Sequence, residues 1–149
     1  MAKHESSSGF SSPDAAEAAF YFAFGACDLS AMNEVWASEG VVCIHPGSDA
    51  LIGREAVMRS WSDILLNSEL PSLHTEVFSR IVRGDLAVHV VEESIAPGGG
   101  SQDMVSIVLA TNVYCRDENG WRMLEHHASA PRMRASSLTM PATRRPTLQ

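Results

Sequence analysis

The side chains able to move protons in this chain of 149 residues fall in a few short stretches. His45 stands between the apolar run Val41-Val42-Cys43-Ile44 and the turn residues Pro46-Gly47. An imidazole there is both ordered and accessible, and suits a general base or hydrogen-bond donor near pH 7. His126 and His127 are adjacent in a β-favouring stretch, so they point to opposite faces and cannot share one ion without a bulge. His126 travels with Leu124 and Ala128 along one period, and His127 with Met123, Glu125 and Ser129 along the other. The more polar period makes His127 the candidate partner of His45, its alternative being an ordinary structural histidine. Glu92 and Glu93 also face opposite ways; burial of either would raise its pKa and fit it for acid–base work, whereas a solvated strand-end carboxylate would have no such role. Glu92 is the candidate ligand contact, together with Asn112 and with Trp36 and Trp61, which read either as core or as walls of an apolar pocket. His89 alternates with Ala87, Val91 and Glu93 and has no assignable face.

Other chemistries lack their residues. Ser60 lies within a helical pattern, and no GxSxG elbow is present. The glycines 98–100 sit between two strands, with no P-loop lysine or following helix. His45 and Asp49 share a loop that gives a metal no fixed geometry, and HExxH and paired cysteines are missing, so neither metal nor cofactor is expected.

The elements that must position these groups follow from periodicity. Ser12-Pro13-Asp14 is a helix start, with a hydroxyl cap, proline at the first turn and an early acid. Ala16, Phe20, Ala23, Phe24 and Cys27 then form one apolar face. Asp28 caps a second short helix carrying Leu29, Met32, Val35 and Trp36, which Gly40 stops. Val41 to Ile44 is a short strand covered on both sides, and Gly53 precedes a helix over 54–66 with Val57, Met58, Trp61, Ile64 and Leu65 on its apolar stripe. From His74 the period becomes two. Strands are predicted over 75–83, 86–94, 104–116 and 121–129, separated by Gly84-Asp85, Pro97-Gly98-Gly99-Gly100 and Asp117-Glu118-Asn119-Gly120, so neighbours should be antiparallel hairpins. Along 104–116 the Val105–Cys115 face is nearly continuous apolar and should meet helices or a partner subunit, while the Met104–Tyr114 face fits a pocket wall or a half-exposed surface. Three helices cover one side of such a sheet, so a homodimer packing sheet to sheet is expected.

Length and an apolar fraction of 45% fit one α+β domain over 12–130, with residues 1–11 expected to be disordered and 131–149 a flexible basic tail. Residues 14–129 carry 17 acidic side chains against six arginines, a net of −11, which opposes binding to nucleic acid. Three cysteines without pairing motifs, no leader pattern and no run of 18 apolar residues lead to the expectation of a cytoplasmic protein away from membranes.

The stretches Ala26–Ala37, Val41–Gly47, Leu51–Trp61 and Gly120–Ser129, with their order and the terminal Trp…His-His, resemble the SnoaL-like branch of the nuclear transport factor 2-like superfamily, the ketosteroid isomerase-like fold. The resemblance covers about 12–130 and implies a cone-shaped α+β barrel: a curved, mostly antiparallel sheet around a long helix, usually homodimeric, with a central apolar cavity. It implies little about chemistry, because relatives include isomerases, dehydratases, hydrolases, cyclases and non-catalytic association domains. The isomerases' oxyanion tyrosine falls here on Phe20, with Tyr21 about 100° away around the helix. Their aspartate base falls on Ile44, or on His45 with a bulge. The expectation is therefore a domain that binds a small apolar molecule, either an isomerase, lyase or hydrolase working through His45 and His127, or a binding or association domain without turnover.

Overall fold

The computed structural model describes residues 8–96, 98 and 104–135. Helix α1 spans Pro13–Gly25, with the Ser12 hydroxyl accepting from Ala15 N–H at 3.0 Å as its cap. Asp28 caps α2 (Leu29–Val35) in the same way. This helix ends at Trp36, before Gly40, because Trp36 turns to extended backbone and bridges to Met123. Helix α3 spans Arg54–Asn67. The strands are β1 (Val42–Ile44), β2 (Ala50–Ile52), β3 (Ser72–Arg83), β4 (Leu86–Ala96), β5 (Met104–Asp117), β6 (Gly120–Ala128) and β7 (Arg132–Ala135). Two of them were not expected: β2 lies in the stretch read as a polar turn, and β7 lies in the stretch read as a tail. No helix among the described residues is long and apolar enough to cross a membrane.

The sheet runs β2-β1-β6-β5-β4-β3, with β7 pairing β5 beside β6. All pairings are antiparallel except β1 with β6. Helices and sheet enclose a core of Phe20, Trp36, Trp61, Tyr114, Met32 and Met123 on the concave side. The helices meet the Val108, Ala110, Asn112 and Tyr114 face of β5, all buried. The face read as the more apolar one, expected to meet helices or a partner subunit, looks away from the helices, with Leu109 39% exposed and Ile107 buried. The α+β cone is thus shown, with its mixed face inside.

Two bulges reset the alternation. Val77 pairs Val91 and Ser79 pairs Val90, leaving Phe78 unpaired in β3; Tyr114 pairs Met123 and Val113 pairs Glu125, leaving Leu124 unpaired in β6. Each inserts one residue and flips which parity faces inward. Trp121 and Met123 are therefore buried before the bulge, and His126 and Ala128 after it.

Residues 1–7 lie outside the described part, but Gly9 and Phe10, expected to be disordered, are tied to the β5–β6 turn. Phe10 and Trp121 exchange backbone hydrogen bonds of 2.9 and 2.8 Å, and Gly9 N–H reaches Asn119 O at 2.7 Å. Gly120 makes this possible: its φ is +121°, and a Cβ there would stand 2.7 Å from Phe10 O. Gly120→Ala is expected to destabilise the fold by about 2–3 kcal/mol, measured by urea unfolding, through strain and loss of the strap.

Candidate functional site

A buried polar chain crosses the core between α1 and the concave sheet face. The Tyr21 hydroxyl is 2.7 Å from Glu93 Oε2, Asn112 Nδ2 is 2.9 Å from the Tyr21 oxygen, and His126 Nδ1 is 2.6 Å from Asn112 Oδ1. A carboxylate can only accept, so the phenol donates to Glu93 and takes its own donor from the Asn112 amide. The amide oxygen must then accept from His126, which places the proton on Nδ1 and leaves Nε2 as the basic nitrogen. Every donor in the chain points toward Glu93. Strand register explains the meeting: His89 pairs Asn112, and Asn112 pairs His126, while Glu93 lies four residues along β4 from His89 on the same inner face.

Glu93 is 1% exposed and His126 is 1% exposed. Burial pushes the Glu93 carboxyl up to about 7, the Tyr21 hydrogen bond pulling the other way. Burial, reinforced by the neighbouring His45 and His127, pushes His126 down to about 3, so it is a neutral donor. Burial, then the charge and hydrogen bond of Glu93, drive Tyr21 far above the ordinary phenol range, so its proton stays on. The arrangement holds a half-protonated carboxyl at neutral pH against a fixed phenol donor. Such a pair can take or deliver a proton.

His45 approaches from β1. It is half-buried, its Nε2 lies 2.9 Å from Ser60 Oγ, and its ring centroid is 5.0 Å from that of Trp61. Ser60 donates to Val57 O at 2.7 Å, so the proton between His45 and Ser60 belongs to Nε2, and Nδ1 is the free base. Burial lowers its pKa. Cys43, paired in register with His126, has its sulfur 3.6 Å from His45 Nε2, and burial pushes its thiol up to about 12, keeping it an inert neutral neighbour.

Of the residues singled out in the sequence, the structure brings His45, Trp61 and Asn112 together around His126. His127 does not join them. It is exposed on the outer face opposite Ile44, because the Leu124 bulge hands the inner position to His126. Glu92 is on the outer side opposite Leu109, and Glu93 takes the inner place. Trp36 is core, its ring 6.5 Å from Phe20. Tyr21 was read as rotated out of reach, yet its phenol stands at the centre of the chain; a helix lying in a strongly curved sheet buries more than one stripe. Alternation alone does not flag Glu93, since Glu92 shares its period with the apolar Leu86, Val88 and Val90 while Glu93 shares one with His89.

A second buried group lies at the other end of α1. Glu17 accepts from Arg80 at 2.7 Å and pairs with His89 Nδ1, while His89 Nε2 is 3.7 Å from Asp14. Where the resemblance implies a central apolar cavity, Phe20, Trp61 and Tyr114 are buried in the core. Open space of about 360 Å³ lies at the C-terminal ends of α1 and α3, lined by Phe24, Cys27, Ile64, Leu65, Pro71 and Ile95, with exposed Ser68 and Glu69 at its border.

These features define an α+β cone of the nuclear transport factor 2-like type with an acid–base chain in its core. The chain belongs to the SnoaL-like domain family, which residues 14–133 match. Among curated proteins none matches it. A structure from Thiobacillus denitrificans, provisionally described as a calcium/calmodulin-dependent protein kinase type II association domain, is 39% identical over 82% of this chain and 97% of its own, with a TM-score of 0.76. A provisionally described dehydratase of the same superfamily from Streptomyces avermitilis is 34% identical over 77% of this chain and 90% of its own, with a TM-score of 0.70. A ketosteroid isomerase-like protein from Erwinia carotovora atroseptica, 16% identical over 78% of this chain and 91% of its own with a TM-score of 0.63, shares the fold.

Proposed function

We propose that this chain binds a small, largely apolar molecule and moves a proton on it without a cofactor, as an isomerase, lyase or hydrolase. Glu93 is the acid–base group, Tyr21 the donor that holds its carboxylate in place, and His45 the second proton-carrying group on the solvent side. The observation that supports this reading is the one-way chain His126–Asn112–Tyr21–Glu93 ending on a carboxyl poised near neutrality. His126 orients the chain and stays neutral near pH 7. The test is exchange of hydrogen for deuterium beside the carbonyl of a panel of small ketones in D2O, with 13C NMR titration of the Glu93 carboxyl. Exchange above buffer that Glu93→Gln abolishes supports the enzyme. No exchange, with Glu93 titrating in the ordinary carboxylate range, overturns it.

A second reading, a non-catalytic association domain, draws on the outer sheet face and on the description of the Thiobacillus structure. Ile81, 46% exposed, pairs in register with Val88, 38% exposed, which pairs with Val113, making an apolar row across three strands. Solvent-facing rows of this kind mark interaction surfaces. The proposed occupant is the same face of a second copy, in the reducing compartment that three free cysteines favour. Light scattering should give twice 16.1 kDa, and Val88→Lys should return the mass to one chain; a wild-type monomer sinks the dimer.

A further inference from the structure

Two side chains of α1, one turn apart on the helix, cross to residues four apart on β4. Tyr21 donates to Glu93, and Glu17 accepts from His89 Nδ1. Glu17, His89 and Glu93 are all buried. The Glu17 carboxylate only accepts, so Nδ1 carries the His89 proton, and His89 Nε2 has no hydrogen-bond partner among the described residues. Arg80 of β3 donates to Glu17 at 2.7 Å and lies 3.4 Å from Asp14, but both Arg80 and Asp14 are exposed, and water weakens that grip. The tie that water does not screen is Glu17–His89. The apolar stripe of α1, Ala16, Phe20 and Ala23, holds the helix by contacts without direction. One helical turn rises about 6 Å and four strand residues about 13 Å, so the two ties splay from helix to strand. A slide of α1 toward one end therefore shortens one tie and stretches the other.

From this pair of ties we infer that Glu17 and His89 are positioning residues: they fix the setting of α1 on β4 at which the Tyr21 hydroxyl meets the Glu93 carboxylate. The inference rests on the reading of Glu93 as the acid–base group and adds the residues that set its geometry. They act through the two backbones, from Glu17 to Tyr21 along the helix and from His89 to Glu93 along the strand. With the tie cut, α1 is free to pivot about Phe20, whose ring is held by Trp36, Trp61 and His126. A hydrogen bond is lost to a small displacement, because it depends steeply on distance and angle, whereas the apolar contacts around Phe20 survive one.

The test is 13C NMR of protein labelled at the glutamate Cδ and tyrosine Cζ carbons, read across pH. Glu17→Met cuts the tie from the helix side. Tyr21 holds the Glu93 carboxyl down against burial, so a loosened pair should titrate about one pH unit above the wild type, the scale of one hydrogen bond. Loss of the negative charge on Glu17 pulls the other way, so a rise there comes from displacement. His89→Leu cuts the same tie from the strand side, beside the Tyr114 ring 4.9 Å away, and should give the same rise. His89→Asn keeps a donor where Nδ1 stood and gives up Nε2, which makes no hydrogen bond to lose. Its Glu93 should titrate as in the wild type, even though the smaller side chain lowers stability. A rise in Glu17→Met and in His89→Leu, absent from His89→Asn, supports the positioning role. A midpoint unmoved or lowered in Glu17→Met overturns it, as does an equal rise in His89→Leu and His89→Asn; the two His89 variants decide the question if Glu17→Met does not fold. The Tyr21 Cζ resonance separates this from the functional reading. A wild-type Glu93 that titrates in the ordinary carboxylate range overturns the acid–base role, while a Tyr21 resonance that moves in Glu17→Met but not in His89→Asn still supports the tie, and one that stays in place overturns it.

Discussion

Glu93→Gln is expected to inactivate the protein and, at alkaline pH, to stabilise it relative to the wild type. The folded carboxyl titrates at about 7, above the unfolded value of 4.5. Between those values the folded state holds the extra proton, so stability falls as pH rises from 4.5 to 7 and stays low above that. The shift corresponds to about 3 kcal/mol. Glutamine can still accept from Tyr21 but carries no charge, so its advantage over the wild type should grow by about 3 kcal/mol between pH 4 and pH 8. His126 works in the opposite sense: folded at about 3 and unfolded at 6.5, it withdraws stability as pH falls through that range, by about 5 kcal/mol in full. The two slopes offset each other between 4.5 and 6.5. A wild-type plateau there, with the loss concentrated below 4.5, is the pattern to seek in urea unfolding across pH. A Glu93→Gln advantage that does not change with pH refutes the buried-carboxyl assignment.

The architecture was legible because its signals are local. Ser12 and Asp28 cap helices as their types demand, and the turn residues Gly84-Asp85 and Asn119-Gly120 place hairpins where the period of two restarts. The site was legible only to the level of the strand. A dipeptide such as His126-His127 or Glu92-Glu93 guarantees one inward and one outward side chain, but which is which depends on phase. Phase in β6 is set by the extra residue Leu124, and a bulge has no composition of its own here. The polar period suggested His127, and Glu92 was named over its neighbour with no phase to support it, whereas the fold buries His126 and Glu93. Tyr21 was hidden for a different reason. One helix stripe was assumed to be the buried one, but α1 lies in a concave sheet and presents Glu17, Phe20, Tyr21 and Phe24 to different strands. Asn112 and His45 were found because the mixed face of 104–116 fits a pocket wall and a histidine at a strand end stands out within its own segment.

Asn112→Asp should be the most informative isosteric change, because the amide donates from one atom and accepts at another, joining His126 to Tyr21. Its oxygen takes the His126 proton and its nitrogen supplies Tyr21. The substitution keeps the acceptor and deletes the donor. Tyr21 then faces two carboxyl groups with one proton to give, and a second acid enters a space already occupied by Glu93. At pH 8 the loss should be about 2–4 kcal/mol, the scale of an uncompensated buried charge with a broken hydrogen bond. At pH 5 the penalty should shrink, since Glu93 is protonated and the new carboxylate can pair with a charged His126. The pKa of His126 should accordingly rise well above about 3, which 15N NMR of its imidazole reads directly. An unchanged His126 titration with stability held at both pH values would mean that the Asn112 side chain does not link His126 to Tyr21, and the chain leading to Glu93 would fall with it.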